Sequence, residues 1–264
     1  MSLAAKIKPR KTIITSETDI INQVPWYIKW ATSILTSTNQ VPKHIAFIMD
    51  GNRRFAKNKN QQVLEGHKAG FEKLADVLVW CRLCKVKEVT VYAFSLENFK
   101  RSQSEVDGLM KLFESTFEQI RGDLESAKKN RIQIKIVGEI HLLSDKIVRM
   151  IEEIHESTRF DRNSDVGGPS CIMNVCIAYT GRQEIVNALD RATTNGDTDG
   201  FKKYLDLSPA DILIRTSGET RLSDFMLYQT TMEKTRICFV DSLWPDFKFY
   251  EFLKCILEWQ IFNN

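Results

Sequence analysis

The chain predicts an α/β fold: a single domain with a mainly parallel central sheet of about six strands flanked by helices. Three observations carry this. Short apolar runs of strand length alternate with stretches of helical period from about residue 42 to the end. Parallel neighbours must be joined by crossovers, so such alternation gives a parallel sheet with helices on both faces. The 264 residues, 43% of them apolar, supply one sizeable core, and no internal repeat, low-complexity tract or long linker divides it.

Residues 1–18 hold basic and Ser/Thr residues without apolar period and are expected to be disordered. Residues 19–41 read as an N-terminal amphipathic helix region. Pro25 suits a helix start, and Trp26, Ile28, Trp30, Ile34 and Leu35 make it aromatic-rich. Such a helix either rests on a membrane interface or packs on the domain; Lys29 as its one cation favours packing. The first strand spans 44–49. A helix over 63–84 follows, with Phe71, Leu74, Leu78 and Cys81 on one face, and then a strand over 88–94. Ser102-x-x-Glu105 predicts a capping box, and behind it Val106, Leu109, Met110, Phe113, Phe117, Ile120 and Leu124 line one stripe of a long helix. An apolar helix face is ordinarily core, and the wall of an apolar cavity is the second reading. Next come a strand over 131–137, a helix over 141–158, a polar loop over 161–169 and a strand over 171–177. The chain closes with a helix over 183–193, a loop at 195–200, a short helix near 201–205, strands over 210–215 and 236–240, and a helix over 246–262.

The formal net charge of +3 argues against a strongly electrostatic nucleic-acid binder. Six cysteines sit in or beside apolar runs, without an Asn-x-Ser/Thr acceptor elsewhere, and read as reduced core residues. Cys81-x-x-Cys84 lacks the second Cys/His pair that a zinc site needs. No apolar run reaches the roughly 18 residues of a bilayer span, and the N-terminus lacks a signal-peptide core, so the protein reads as soluble or peripheral. A G-x-G-x-x-G, a G-x-x-x-x-G-K-[ST] and the nucleophile motifs of hydrolases are all absent.

The chemistry concentrates at strand ends. The first strand runs into Asp50, Gly51, Asn52, Arg53 and Arg54. That is either an Asp-Gly-Asn turn with solvated arginines or a phosphate site. In the second reading the glycine admits the phosphate, the guanidiniums hold it and Asp50 carries a hard cation such as Mg²⁺. The second strand ends in Ser95, Leu96, Glu97 and Asn98, with Arg101 close behind, and a third edge offers Arg215, Arg221 and Ser223. Five arginines around one carboxylate suit a diphosphate, because the planar guanidinium fork binds phosphate oxygens in pairs. Two clusters on different strands point to two phosphorylated substrates. His67, at a helix start, is either a cap or satisfied polar residue or part of this site, and Glu97 is either a surface carboxylate or part of it.

MDGNRR followed by Phe55-Ala-Lys and Gly66-His67-Lys68-Ala69-Gly70 resembles the signature of the cis-prenyltransferases, the undecaprenyl and dehydrodolichyl diphosphate synthase family. Phe94-Ser-Leu-Glu-Asn-Phe99 with Arg101, Arg215-Thr-Ser-Gly-Glu219 through Arg221-Leu222-Ser223-Asp224, and Leu243-Trp-Pro-Asp-Phe247 agree with it in order. The resemblance covers about residue 42 to the end, so 42–264 is expected to be a catalytic domain. It implies an apolar tunnel, walled in part by the helix behind Ser102, for a growing lipid. It also implies Gly51, Asn52, Arg53, Arg54, His67 and Arg101 on an allylic (farnesyl or geranylgeranyl) diphosphate, and Arg215, Arg221 and Ser223 on isopentenyl diphosphate. Phe55, Ser95, Leu96, Glu97, Phe99 and Leu222 complete the expected substrate-binding set. Asp50 matches the magnesium-binding aspartate, and Asn98 the residue proposed to assist proton removal.

The Asn-Arg-Arg form resembles the eukaryotic, dolichol-making branch, and Val63 stands where bacterial members carry a further arginine. Arg236 replaces a glutamate implicated in metal binding, which leaves Glu219, Asp241 and Asp246 as candidate second ligands. The absence of an Arg-x-Gly ending implies a heteromer with a homologous, Nogo-B-receptor-like subunit, with a homodimer as the alternative. A lipid product and the tryptophan-bearing segment imply peripheral attachment to the cytosolic face of the endoplasmic reticulum. Two rivals stand beside this reading: an inert scaffolding subunit of such a complex, and a Mg²⁺-dependent phosphate-ester hydrolase.

Overall fold

Among residues 24–37, 40–160, 168–197, 200–232 and 234–263, which the computed structural model describes, six strands form one sheet. They are β1 (His44–Ile48), β2 (Glu88–Ser95), β3 (Ile132–Val137), β4 (Cys171–Tyr179), β5 (Ile212–Arg215) and β6 (Arg236–Phe239). All five pairings are parallel, in the order β3-β4-β2-β1-β5-β6. β1 is therefore central, with Ile45 opposite Val89 on one side and Ile212 on the other, and all five of its residues are buried. A strand covered on both faces needs an unbroken apolar run, which is what 45–49 supplies.

The helices are α1 (Trp26–Ser37), α2 (Asn52–Asn58), α3 (Val63–Leu83), α4 (Gln103–Gly122), α5 (Leu124–Lys129), α6 (Asp145–Thr158), α7 (Gly181–Thr194), α8 (Leu227–Met232) and α9 (Phe249–Phe262). Three core clusters result. One joins Ile28 and Leu35 of α1 to α3, β1 and α9, another joins α4 and α6 to β3, and a third lies around Tyr179, Leu213, Phe225 and Met226. In α3 the buried face is Leu74, Ala75, Val77, Trp80 and Cys81, while Phe71 and Leu78 are only partly buried. The six cysteines are free and none is exposed.

Several predicted features differ. The long helix breaks at Asp123 into α4 and α5. The predicted capping box fails, because Ser102 makes no cap hydrogen bond and Glu105 instead accepts from Arg101 at 2.8 Å. A 3₁₀ turn over Ile140–Leu142 delays α6, which Ser144 caps by accepting from Ile147 N–H at 3.4 Å. Another 3₁₀ turn, Trp244–Asp246, delays α9, and α8 was not foreseen. The α1 helix packs on the domain through Ile28, Thr32 and Leu35, which are buried, while Trp26 and Trp30 are 76% and 64% exposed. The expectations for residues 1–23 and 161–167 lie outside the described residues.

Candidate active site

The carboxyl ends of β1, β2 and β5 are neighbours, and the predicted residues hang from them. This is the place where a parallel sheet whose strand order reverses opens a crevice. Gly51 follows β1 with φ 106°, and a Cβ there would stand 2.9 Å from the Leu243 side chain, so only glycine fits. The Trp244 N–H donates to the Asp50 carbonyl at 2.9 Å, and its indole donates to the Gly70 carbonyl at 2.7 Å. The turn before α9 thus locks the end of β1 to α3.

At the β5 end, Arg215 is 2% exposed. Its Nη2 donates to Asp50 Oδ2 at 2.7 Å, and its Nη1 donates to Ser223 Oγ at 2.7 Å and to the Arg221 carbonyl. Asp50 Oδ1 accepts the N–H of Gly51 at 2.7 Å, while the Thr216 hydroxyl brackets the Asp50 backbone, accepting from its N–H at 3.2 Å and donating to its carbonyl at 2.9 Å. Arg54 reaches the same loop, donating to Ser217 Oγ and lying 3.5 Å from Glu219, which also pairs with Arg221. Asp50, Gly51, Arg54, Arg215, Arg221 and Ser223 are therefore one connected group.

A second group gathers on Glu105, a residue that sequence reasoning spent on the capping box. Arg101 donates to it at 2.8 Å, Arg53 lies 3.9 Å away and His67 Nε2 lies 3.8 Å away. The signal was present as the i, i+4 spacing from Arg101 to Glu105. Burial, then the Arg101 guanidinium, holds the His67 pKa down at about 4, so His67 is neutral at pH 7. Its Nε2 and the Oδ1 of Asn52 are buried without a hydrogen-bond partner. Arg101 also feels the Asp50 charge, which links the two groups.

Other predicted residues take quieter places. Asn98 Oδ1 accepts the Ser95 N–H at 3.2 Å, a capping pair that closes the 3₁₀ turn Leu96–Lys100. Glu97 is exposed and accepts from Lys100 at 2.5 Å. Phe55 is buried within α2, with the Lys59 ammonium 4.0 Å over its ring. Phe99 meets Phe94 edge-on at 4.9 Å, Leu96 is half-buried, and Leu222 packs against the third core cluster.

Behind Asn52 and His67 lies an apolar cavity of about 90 Å³, walled by Met49, Leu74, Leu109, Phe113 and Trp244. A larger cleft of about 760 Å³ beyond β3 carries none of the predicted residues. Within it Arg191 forks onto Asp206 at 2.9 and 3.1 Å, and Asn187 donates to Glu139 at 2.7 Å. Among the described residues no three His, Cys, Asp or Glu side chains gather on one metal position, and Glu219 is held by arginines. Asp50 keeps lone pairs beyond its two hydrogen bonds and is 33% exposed, so it fits a cation completed by substrate phosphates and water.

The family model described as putative undecaprenyl diphosphate synthase matches residues 48–264. The human dehydrodolichyl diphosphate synthase complex subunit DHDDS is 43% identical over 235 residues, covering 84% of this chain and 68% of that one. A complex subunit of the same description from Schizosaccharomyces pombe is 39% identical, covering 85% of this chain and 87% of its own. Among solved structures, lavandulyl diphosphate synthase from Lavandula x intermedia, in complex with dimethylallyl diphosphate, superposes with a TM-score of 0.71 at 28% identity, over 84% of this chain and 96% of that one. A probable undecaprenyl diphosphate synthase from Campylobacter jejuni gives 0.67 at 26%, over 83% and 95%. A parallel sheet that delivers Asp50 and Arg215 to one crevice, with a family match over most of the length, places this chain in the undecaprenyl diphosphate synthase family of cis-prenyltransferases.

Proposed function

We propose that this enzyme extends an allylic diphosphate, farnesyl or geranylgeranyl, with isopentenyl units into a long polyprenyl diphosphate of the kind used for dolichol, at the crevice between β1, β2 and β5. The observation that carries the reading is a buried guanidinium paired with a carboxylate, Arg215 and Asp50, where the carboxylate's chain neighbours Met49 and Asn52 line an apolar cavity. The allylic diphosphate lies against Gly51, Asn52, Arg53, Arg54, His67 and Arg101. The isopentenyl diphosphate lies against Arg215, Arg221 and Ser223. Asp50 holds Mg²⁺ together with the substrate phosphates; when bound, the ion neutralises charge on the departing diphosphate.

Each residue's task follows from where charge develops. As the allylic C–O bond breaks, negative charge grows on the leaving diphosphate, and the guanidiniums of Arg53, Arg54 and Arg101 stabilise it there. The isopentenyl double bond attacks the electron-poor allylic carbon, a new C–C bond forms, and a proton leaves the isopentenyl unit with help from Asn98. No covalent nucleophile takes part. Arg215, Arg221 and Ser223 hold the attacking unit in line, and the apolar walls keep water from the cation-like centre. The neutral His67 serves as a hydrogen-bond donor rather than a charge. The apolar walls between α3, α4 and the sheet face the growing lipid, which must part them to enter.

The chain assembles with a second, homologous subunit. The relatives named as complex subunits favour a heteromer over a homodimer. No helix among the described residues is long and apolar enough to cross a membrane. The exposed Trp26, Tyr27 and Trp30 support peripheral contact with the cytosolic face of the endoplasmic reticulum.

Radiolabelled isopentenyl incorporation with farnesyl diphosphate and Mg²⁺, alone and with a homologous partner, tests the reading. Long products from either preparation support it. Inactivity in both, or phosphate release without isopentenyl diphosphate, overturns it in favour of an inert subunit or a hydrolase.

A further inference from the structure

The loop after β5 is dense in left-handed backbone. Ser223 (φ 51°), Asp224 (φ 60°) and Met226 (φ 46°) all lie in that region, as does Ser217 (φ 90°) earlier in the loop. A non-glycine residue there crowds its Cβ against the following carbonyl, so the turn must be held from outside itself. Asp224 is where the hold is made. Its carbonyl accepts the Gly181 N–H at 2.6 Å, its Oδ1 accepts the Arg182 backbone N–H at 3.0 Å, and its Oδ2 accepts Arg182 Nε–H at 2.7 Å. These amides open α7, so the carboxylate also meets the positive end of the helix dipole. The approach is close: a Cβ at Gly181 would stand 2.9 Å from the Leu227 nitrogen.

On its inner side the same turn supplies two of the three acceptors that fix Arg215, the Ser223 hydroxyl and the Arg221 carbonyl. Tyr92 adds a brace by donating to the Ser223 carbonyl at 3.3 Å. The Arg182 side chain is 75% exposed, so solvent screens its ion pair with Asp224 and the pair adds little stability. Its effect is on geometry.

We propose that Asp224, anchored by Arg182 and the head of α7, is the positioning residue for the Arg215–Ser223 end of the site. It fixes the turn that aims Arg215 and Arg221, and thereby sets affinity for the second diphosphate. This rests on the assignment of isopentenyl diphosphate to that end.

The test titrates the full chain with isopentenyl diphosphate and, separately, farnesyl diphosphate by calorimetry, and follows amide exchange over 216–226. In Asp224→Ala, isopentenyl affinity should fall about tenfold or more, one charge-assisted hydrogen bond's worth, with farnesyl affinity unchanged and exchange in the turn accelerated. Asp224→Asn keeps an acceptor and tolerates the left-handed region, so it should recover most of the affinity. Arg182→Ala, which alters an exposed side chain and leaves folding intact, should give the same selective loss at smaller size. Equal weakening of both diphosphates, or unchanged isopentenyl affinity in Asp224→Ala, overturns the proposal. If the unaltered chain binds neither diphosphate, the substrate assignment fails, and the exchange rates alone decide whether Asp224 holds the turn: unchanged exchange overturns that too.

Discussion

The two ends of the crevice are built on opposite plans. Arg215 is buried, with oxygen acceptors on Asp50, Arg221 and Ser223, while Arg53 and Arg54 keep 59% and 48% of their side chains exposed and rest on Glu105 and Glu219. A guanidinium fixed in advance needs no reorganisation when its ligand arrives, which favours selectivity. Exposed guanidiniums parked on carboxylates exchange one anion for another and capture ligands in a salt-dependent way. The first plan suits the small diphosphate that must be held in line, and the second suits the diphosphate of a primer whose lipid lengthens.

Breaking the fixed end should give the largest effect. Asp50→Ala is expected to cut incorporation by more than about 10²-fold. It also leaves the Arg215 charge buried without its counter-ion, at a cost of ~3 kcal/mol in urea unfolding. Asp50→Asn should recover part of the stability and none of the turnover. Near-normal incorporation by Asp50→Ala would remove the metal assignment.

A smaller change should disturb only the looser end. A Cβ at Gly66 would stand 2.1 Å from the Asn52 carbonyl, so Gly66→Ala pushes α3 away from α2. The expected loss is ~1–3 kcal/mol of stability. Farnesyl diphosphate should bind more weakly, with isopentenyl diphosphate little affected. Equal loss of both in calorimetry would show that the ends are not independent.

The smallest effect sharpens the contrast through pH. Burial lowers the pKa of His44 and His155 and takes His67 to about 4, below the unfolded value of 6.5. The folded chain thus refuses protons that the unfolded chain accepts. The stability is complete above about pH 6.5 and is lost as pH falls toward 4, with His67 alone giving ~2 kcal/mol by pH 5. His67→Gln should flatten this profile in denaturant unfolding; an unchanged profile would place the titration elsewhere.

What the sequence disclosed divides along physical lines. Asp50 and Arg215 were legible because each ends a buried apolar run, and strand ends in a parallel sheet meet at one edge. Glu105 and Asp224 were not, because their roles come from partners that only the fold brings near: His67 for one, the head of α7 for the other. Glu105 also satisfies a local pattern, Ser102-x-x-Glu105, whereas in the fold Arg101 takes its carboxylate. The short α8 escaped because Leu227–Met232 is under two turns, too brief for a helical period to declare itself.

The central place of β1 bears on how the chain folds. His44–Ile48 pairs on one side with a strand about forty residues downstream and on the other with β5, well over a hundred residues later. Such distant pairing carries a large loop-closure cost and slows folding. Until β5 arrives, one apolar edge of β1 stays unpaired, which is the condition under which nascent chains aggregate. The strand that delivers Asp50 to the crevice is thus the one whose exposure during synthesis a chaperone would be needed to cover.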